Sequence, residues 1–244
     1  MSLVIATYVP EGIVMASDSR QSITIEGKTP EGKDFKVETV NSDAVTKTFL
    51  LEKQGVGISN FGQDLLAGVP MASYIKKFIE EELAAADDIM TIPKKLIEYF
   101  RKSFPTADAG FHVCGYKKEG KVSIPHVYHC HVSRNTMERR NIKPDGSLTY
   151  GTTWSGQIDI LVSIVNPVVI KDDKGADKVI RAPAPIIWDA MTLQDAIDFS
   201  IYAIRTTIDT MRFQARPKNV GGPIDVLLLT PDEVRWICKK ELHN

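Results

Sequence analysis

The chain has 244 residues, a net charge of −1, 43% apolar and 25% charged residues. That length can bury a substantial core, while so balanced a charge excludes a global field for nucleic acid or an anionic membrane surface. The longest apolar runs, near 161–165 and 226–229, are far too short to span a bilayer, and three widely spaced cysteines, Cys114, Cys130 and Cys238, predict reduced thiols in a cytoplasmic protein.

The first twenty residues, MSLVIATYVPEGIVMASDSR, predict a β-hairpin. Leu3–Tyr8 and Ile13–Ser17 are apolar and β-branched, and Val9-Pro10-Glu11-Gly12 between them has turn chemistry. With no basic flank and with Glu11 interrupting the apolar run, the segment does not read as a signal peptide. Residues 21–46 are polar and predict an extended excursion or second hairpin. Phe49–Leu51 and Val56–Ser59 follow as a strand pair. Over 63–83 the period changes, and Leu65, Val69, Ala72, Ile75, Ile79 and Leu83 predict one face of a helix. A second helix is predicted from Ile92 to Phe104, with Pro93 in its first turn.

Ala109–Tyr116 and Val122–Val132 predict another hairpin, joined by Lys117-Lys118-Glu119-Gly120. The segment 134–150 is polar and contains the turn Pro144-Asp145-Gly146. Residues 158–170 suit a buried helix or a strand equally by composition. Thr192–Phe213 predicts a long helix, with Thr192 and Asp195 as a capping box and Leu193, Ile197, Ile201, Ile204, Ile208 and Met211 as the buried stripe. Pro223–Leu229 and Val234–Cys238 close the chain as a hairpin. No repeat or low-complexity linker divides the sequence, which predicts one α+β domain over 1–244.

A turn centred on Pro10-Glu11 makes cross-strand pair numbers sum to about 21. Ser2 then lies near Ser19, with Asp18 a direct or diagonal neighbour roughly 5–8 Å away. Once Met1 is removed, the α-amine of Ser2, with an ordinary pKa near ~8, can act as general base for the hydroxyl of the same residue.

These residues resemble the start of mature proteasome β-type subunits and related bacterial peptidases of the N-terminal-nucleophile hydrolases. The likeness recurs at Thr46-Lys47-Thr48-Phe49, Val56–Gly62, Gly115–Gly120 with His126-Val127-Tyr128, Thr153-Trp154-Ser155-Gly156, Val220–Val226 and Val234-Arg235-Trp236. It implies a four-layer αββα sandwich and a proteasome-like N-terminal-serine peptidase within a self-assembled homo-oligomeric ring. Unfolded peptide would be the substrate and an unfoldase a partner, with no cofactor or metal. A non-catalytic proteasome-like subunit and a small-molecule amidase or acylase are the alternatives on the same fold. Residue by residue, the resemblance makes Ser2 the nucleophile, Lys47 the cation beside it, Asp18 its partner and Ser155 a hydroxyl near the amine. The N–H groups of Gly57–Phe61, those of Gly57, Ser59 and Asn60 among them, would form the oxyanion site.

The chain departs from the family in two ways. The stretch 21–46 lengthens the gap before the lysine, so Lys33 and Lys36 compete with Lys47; the strand pattern that follows favours Lys47. Pro217 and Val220 stand where the family has an Asp and a Ser, with Asn219 between them as a partial substitute. Without the family, Asp18 reads as an ordinary partner for Arg20 or a lysine. His126, His129 and His131 invite a metal, yet on a strand His126 faces away from the other two. Gly55-Val56-Gly57 with Gly62 lacks dinucleotide spacing, and no Walker A sequence or Gly-x-Ser-x-Gly elbow is present. Arg134, Arg139, Arg140 and Lys143 read as a solvated loop.

Overall fold

A computed structural model describes residues 2–241. In chain order the strands and helices are β1 Leu3–Val9, β2 Gly12–Ser17, β3 Gln21–Lys28, β4 Asp34–Ser42, β5 Thr48–Leu51, β6 Val56–Gly62, β7 Leu65–Leu66, β8 Val69–Pro70, α1 Met71–Glu81 and α2 Ile92–Ser103. They continue as β9 Ala109–Glu119, β10 Val122–His131, β11 Thr136–Arg139, β12 Gly151–Gly156, α3 Asp159–Val165, β13 Val168–Lys171, β14 Asp177–Arg181, α4 Leu193–Phe213, β15 Asp225–Leu229 and β16 Val234–Cys238.

Two five-stranded sheets dominate, ordered β12-β1-β2-β15-β16 and β11-β10-β9-β6-β5. The opening hairpin has the expected register, with Tyr8 opposite Ile13 and Val4 opposite Ser17. Alternation along β1 sends Leu3, Ile5 and Val9 into a cluster with Ile197, Ala203 and Ile204 of α4. Ala6 and Tyr8 point the other way, into a cluster with Ile13, Met15, Leu227 and Leu229 of the first sheet and Cys114 and Val127 of the second. The second sheet buries its remaining face, including Ile58, Phe111 and Val113, against Ile75 and Phe78 of α1 and Leu96 and Phe100 of α2. Because both faces of β1 and β2 are covered, each reads as an almost unbroken apolar run.

Residues 21–42 form a two-stranded ribbon, β3 paired with β4, whose side chains are mostly exposed. The helix expected over 63–83 begins only at Met71. Ala67 and Gly68 take positive φ values of 50° and 78°, and Pro70 holds the residue before it extended. Leu65 and Val69 therefore sit exposed in the small β7–β8 hairpin. The ambiguous 158–170 resolves into both candidates, α3 and then β13, divided at Pro167. At α4 the Thr192 hydroxyl accepts from the Asp195 N–H, and the Asp195 carboxylate accepts from the Thr192 N–H, completing the capping box. Among the described residues no helix is long and apolar enough to cross a membrane.

Candidate active site

The space between the two sheets changes character along the strands. From the apolar cluster around Ala6 and Met15, the same faces continue into Ser2, Ser17 and Ser155 on one sheet and Thr48, Ser59, His112 and His129 on the other. Hydrogen bonds cross the gap here. The Thr48 hydroxyl donates to Ser17 Oγ at 2.9 Å and lies 2.9 Å from Ser59 Oγ. His112 Nε2 lies 3.0 Å from Ser155 Oγ. Phe61 closes this polar end, its ring stacked 5.3 Å from that of His129.

Beside it stands a fully buried ion pair. Lys47 Nζ donates to Asp18 Oδ1 at 2.8 Å and to the Arg20 carbonyl at 2.5 Å. The same Oδ1 accepts the Leu3 N–H at 2.9 Å, while Oδ2 accepts those of Gly221 at 3.0 Å and Arg20 at 3.2 Å. So complete a set of donors offsets the cost of burying the carboxylate. One carboxylate thus ties together the start of β1, the turn before β3, the residue before β5 and the loop leading into β15. It also brings the ammonium within two hydrogen-bond lengths of the peptide that joins Ser2 to Leu3. Of the competing lysines, Lys36 pairs with Glu26 on the ribbon and Lys33 lies exposed at its tip.

Ser2 is fully buried, and its hydroxyl has no hydrogen-bond partner among the described residues. Its carbonyl accepts the Gln157 N–H at 2.8 Å. Gly156, at φ 101°, lets β12 approach this closely, because a Cβ there would stand 1.8 Å from the Ser2 oxygen. Ser2 borders a cavity of about 420 Å³ whose walls include Gly62, His129, Trp154 and Ser155. Ser155 is opposite Val4, hence diagonal to Ser2 on the same sheet face. Met1, whose removal frees the amine, lies outside the described residues.

Gly57, Ser59 and Asn60, the expected oxyanion residues, are not among the residues that line the Ser2 cavity. Gly57 lies in the inter-sheet core, where a Cβ would meet Met15 Sδ at 2.4 Å. The Ser59 hydroxyl is held by Thr48, and the Asn60 N–H donates to the Lys47 carbonyl at 2.8 Å. Gly62, beyond them on β6, does border the Ser2 cavity. Strand alternation directs its N–H to the same side as that of Asn60. Asn60 instead donates its side-chain N–H to the buried Asp64 at 3.0 Å, and burial raises the Asp64 pKa against the opposing charge of Lys47.

His129 and His131 line the cavity and His126 turns away to Tyr128, as the strand alternation predicts. Among the described residues no group of three or more His, Cys, Asp or Glu side chains is arranged to hold a metal. Burial lowers the pKa of His129 to about 4 and that of His112 to about 3, so both are neutral imidazoles. His112 escaped sequence reasoning. Its signal is alternation, since in AGFHVCG it shares a face with Cys114 and not with Phe111 or Val113. The basic stretch after β10 is not simply solvated either. Arg134 borders the Ser2 cavity, and Arg139 donates to the Pro125 carbonyl at 2.9 Å.

No family model matches the chain, and no curated protein matches it. Solved structures do. A Gly-1 mutant of Anbu from Hyphomicrobium sp. strain MC1 is 14% identical with a TM-score of 0.61, over 98% of this chain and 86% of that one. Anbu from Yersinia bercovieri, described as an ancestral β-subunit, is 13% identical with a TM-score of 0.56, over 96% and 86% of the two chains. The chain shares its fold with Anbu. This corrects the resemblance to mature proteasome β-type subunits: the likeness found is to an ancestral β-subunit, and at such identities it is one of fold alone.

Proposed function

We propose that the protein is an N-terminal-serine hydrolase of peptide bonds, built as an αββα sandwich and working as a homo-oligomer. The observation that carries this reading is the Ser2 hydroxyl. It is buried, has no hydrogen-bond partner among the described residues, and belongs to a residue that borders a cavity beside a buried Lys47–Asp18 pair. An unsatisfied buried hydroxyl costs about 1–3 kcal/mol, and folding gives it no compensating bond.

After loss of Met1, Ser2 Oγ attacks the substrate carbonyl carbon and its proton passes to the α-amine of Ser2. The Lys47 ammonium lowers the pKa of that amine, so that it is unprotonated near neutral pH. The Gly62 N–H, in place of those of Gly57, Ser59 or Asn60, donates to the oxyanion. The amine then gives its proton to the leaving nitrogen as the C–N bond breaks, leaving an ester on Ser2 that water hydrolyses by the same proton route. Asp18 keeps Lys47 in place, and Ser155 offers its hydroxyl beside the amine.

The test is mass spectrometry of the native N-terminus together with an electrophile directed at N-terminal nucleophiles. The expected result is a chain beginning at Ser2 and carrying one adduct there. Ser2→Ala should abolish the adduct and lower peptide cleavage by on the order of 10³-fold or more. A native chain that retains Met1 and takes no adduct would mean a non-catalytic member of the fold.

A further inference from the structure

The cavity beside Ser2 is one of a row. Across Gly62 and Asp108 it adjoins a hollow of about 500 Å³ at residues 21–24 of β3. In the other direction it shares Trp154 with one of about 330 Å³ along Tyr150, Gly151 and Thr152. That hollow shares Tyr150 and Trp188 with a further one of about 320 Å³. From Gly156 back to Gly151 the row follows β12, which is the outermost strand of its sheet. Six residues of strand extend about 20 Å.

An outer strand presents unpaired N–H and C=O groups, and proteins blunt such edges with charge, proline, bulges or shortness. Three of the four outer strands of the two large sheets are blunted. β5 and β11 have four residues each, β11 carries Glu138 and Arg139, and β16 carries Arg235 and an irregular ladder. β12 has none of these devices. Its sequence GTTWSG holds no charge or proline, and its pairing with β1 runs without a register shift. Half-buried Tyr150, Trp154 and Trp188 stand along it, a set of aromatic faces suited to apolar side chains.

We infer that the free edge of β12 binds an extended polypeptide as an added strand, seated against Trp154 and Trp188, and that this polypeptide is the substrate chain on one side of the bond presented to Ser2. The occupant follows from continuity, because Trp154 is a wall of both the Ser2 cavity and the adjoining hollow. Strand addition recognises main chain first and side chains only at alternate positions, so unfolded segments of many sequences would be accepted. The assignment of the occupant rests on the proposed function, whereas binding at the edge does not.

The test separates the two. The full chain carrying Ser2→Ala is titrated with a fluorescein-labelled twelve-residue peptide alternating Val with Thr or Ser, read by anisotropy. A set of peptides N-methylated at one position each is titrated in parallel. Binding is expected to weaken about tenfold or more at every second position and to change little between. Trp188→Ala should weaken the parent peptide by a similar factor, and bound peptide should slow amide exchange at Thr152 and Trp154. In the chain with Ser2 intact and Met1 removed, Trp188→Ala should raise KM for a long quenched peptide and leave that for a capped tripeptide amide unchanged. Binding with no two-residue period, or equal effects of Trp188→Ala on both substrates, would overturn the inference. Failure to bind together with a Trp188→Ala change in sedimentation would assign the edge to a second copy of the chain instead. Edge binding by a chain that shows no Ser2 adduct would sustain the site and remove the hydrolase.

Discussion

His112 shows what burial does to a single titratable group. Its ring is sealed between the sheets, and one nitrogen faces Ser155 while Nδ1 has no partner among the described residues. A bare lone pair is tolerated in a core better than a bare N–H, which favours the tautomer with the proton on Nε2, donated to Ser155. The hydroxyl proton of Ser155 is then free to turn toward the cavity. The folded state also refuses a second proton on this imidazole down to about pH 3, whereas the unfolded chain accepts one near the ordinary value of 6.5. The pKa is lowered by folding, so the contribution of His112 is complete above 6.5 and lost as pH falls below it, by up to about 1.4 kcal/mol per pH unit. Chemical denaturation at pH 6 and pH 5 should therefore show a fall in stability that is shallower in His112→Gln by about 1 kcal/mol.

Among the elements, α4 is held at its start by side chains that the sequence announces. Removing the Thr192 cap should cost about 1 kcal/mol, read as a lower urea midpoint in Thr192→Ala with an unchanged slope. That helix and the opening hairpin were legible because each rests on local rules: period, turn residues and cross-strand counting; the Lys47–Asp18 pair, 29 residues apart, was implied only by the family resemblance. The start of α1 was not, because Leu65 and Val69 fit a helical stripe by spacing, while Gly68 and Pro70 control the backbone between them. Which glycine of β6 borders the Ser2 cavity was hidden for a related reason. Gly57 and Gly62 look alike in sequence, and only the packing of Met15 against Gly57 shows which glycine belongs to the core and which to the cavity. The link between His112 and Ser155 joins residues 43 apart in sequence on different sheets, a contact no local rule contains.

At the scale of the molecule, the β3–β4 ribbon stands apart from the packing. No residue between 21 and 42 belongs to the hydrophobic clusters, and its apolar face, with Ile25, Phe35 and Val37, is exposed. Replacing 26–36 by a two-residue Asn-Gly turn should leave the melting temperature of the dilute protein within about 2 °C, measured by circular dichroism. The Asp18 carboxylate has the opposite standing, since three distant stretches of chain, at Leu3, Lys47 and Gly221, converge with neighbouring Arg20 on its two oxygens. Descent should treat the two residues of the candidate centre differently. A lineage without the proposed hydrolysis would still inherit the acid, for architecture demands it, while a serine whose hydroxyl anchors none of the described residues could drift away unnoticed. On the proposed function, persistence of the hydroxyl among descendants of this chain, and not of the acid, would be the heritable mark of a working enzyme.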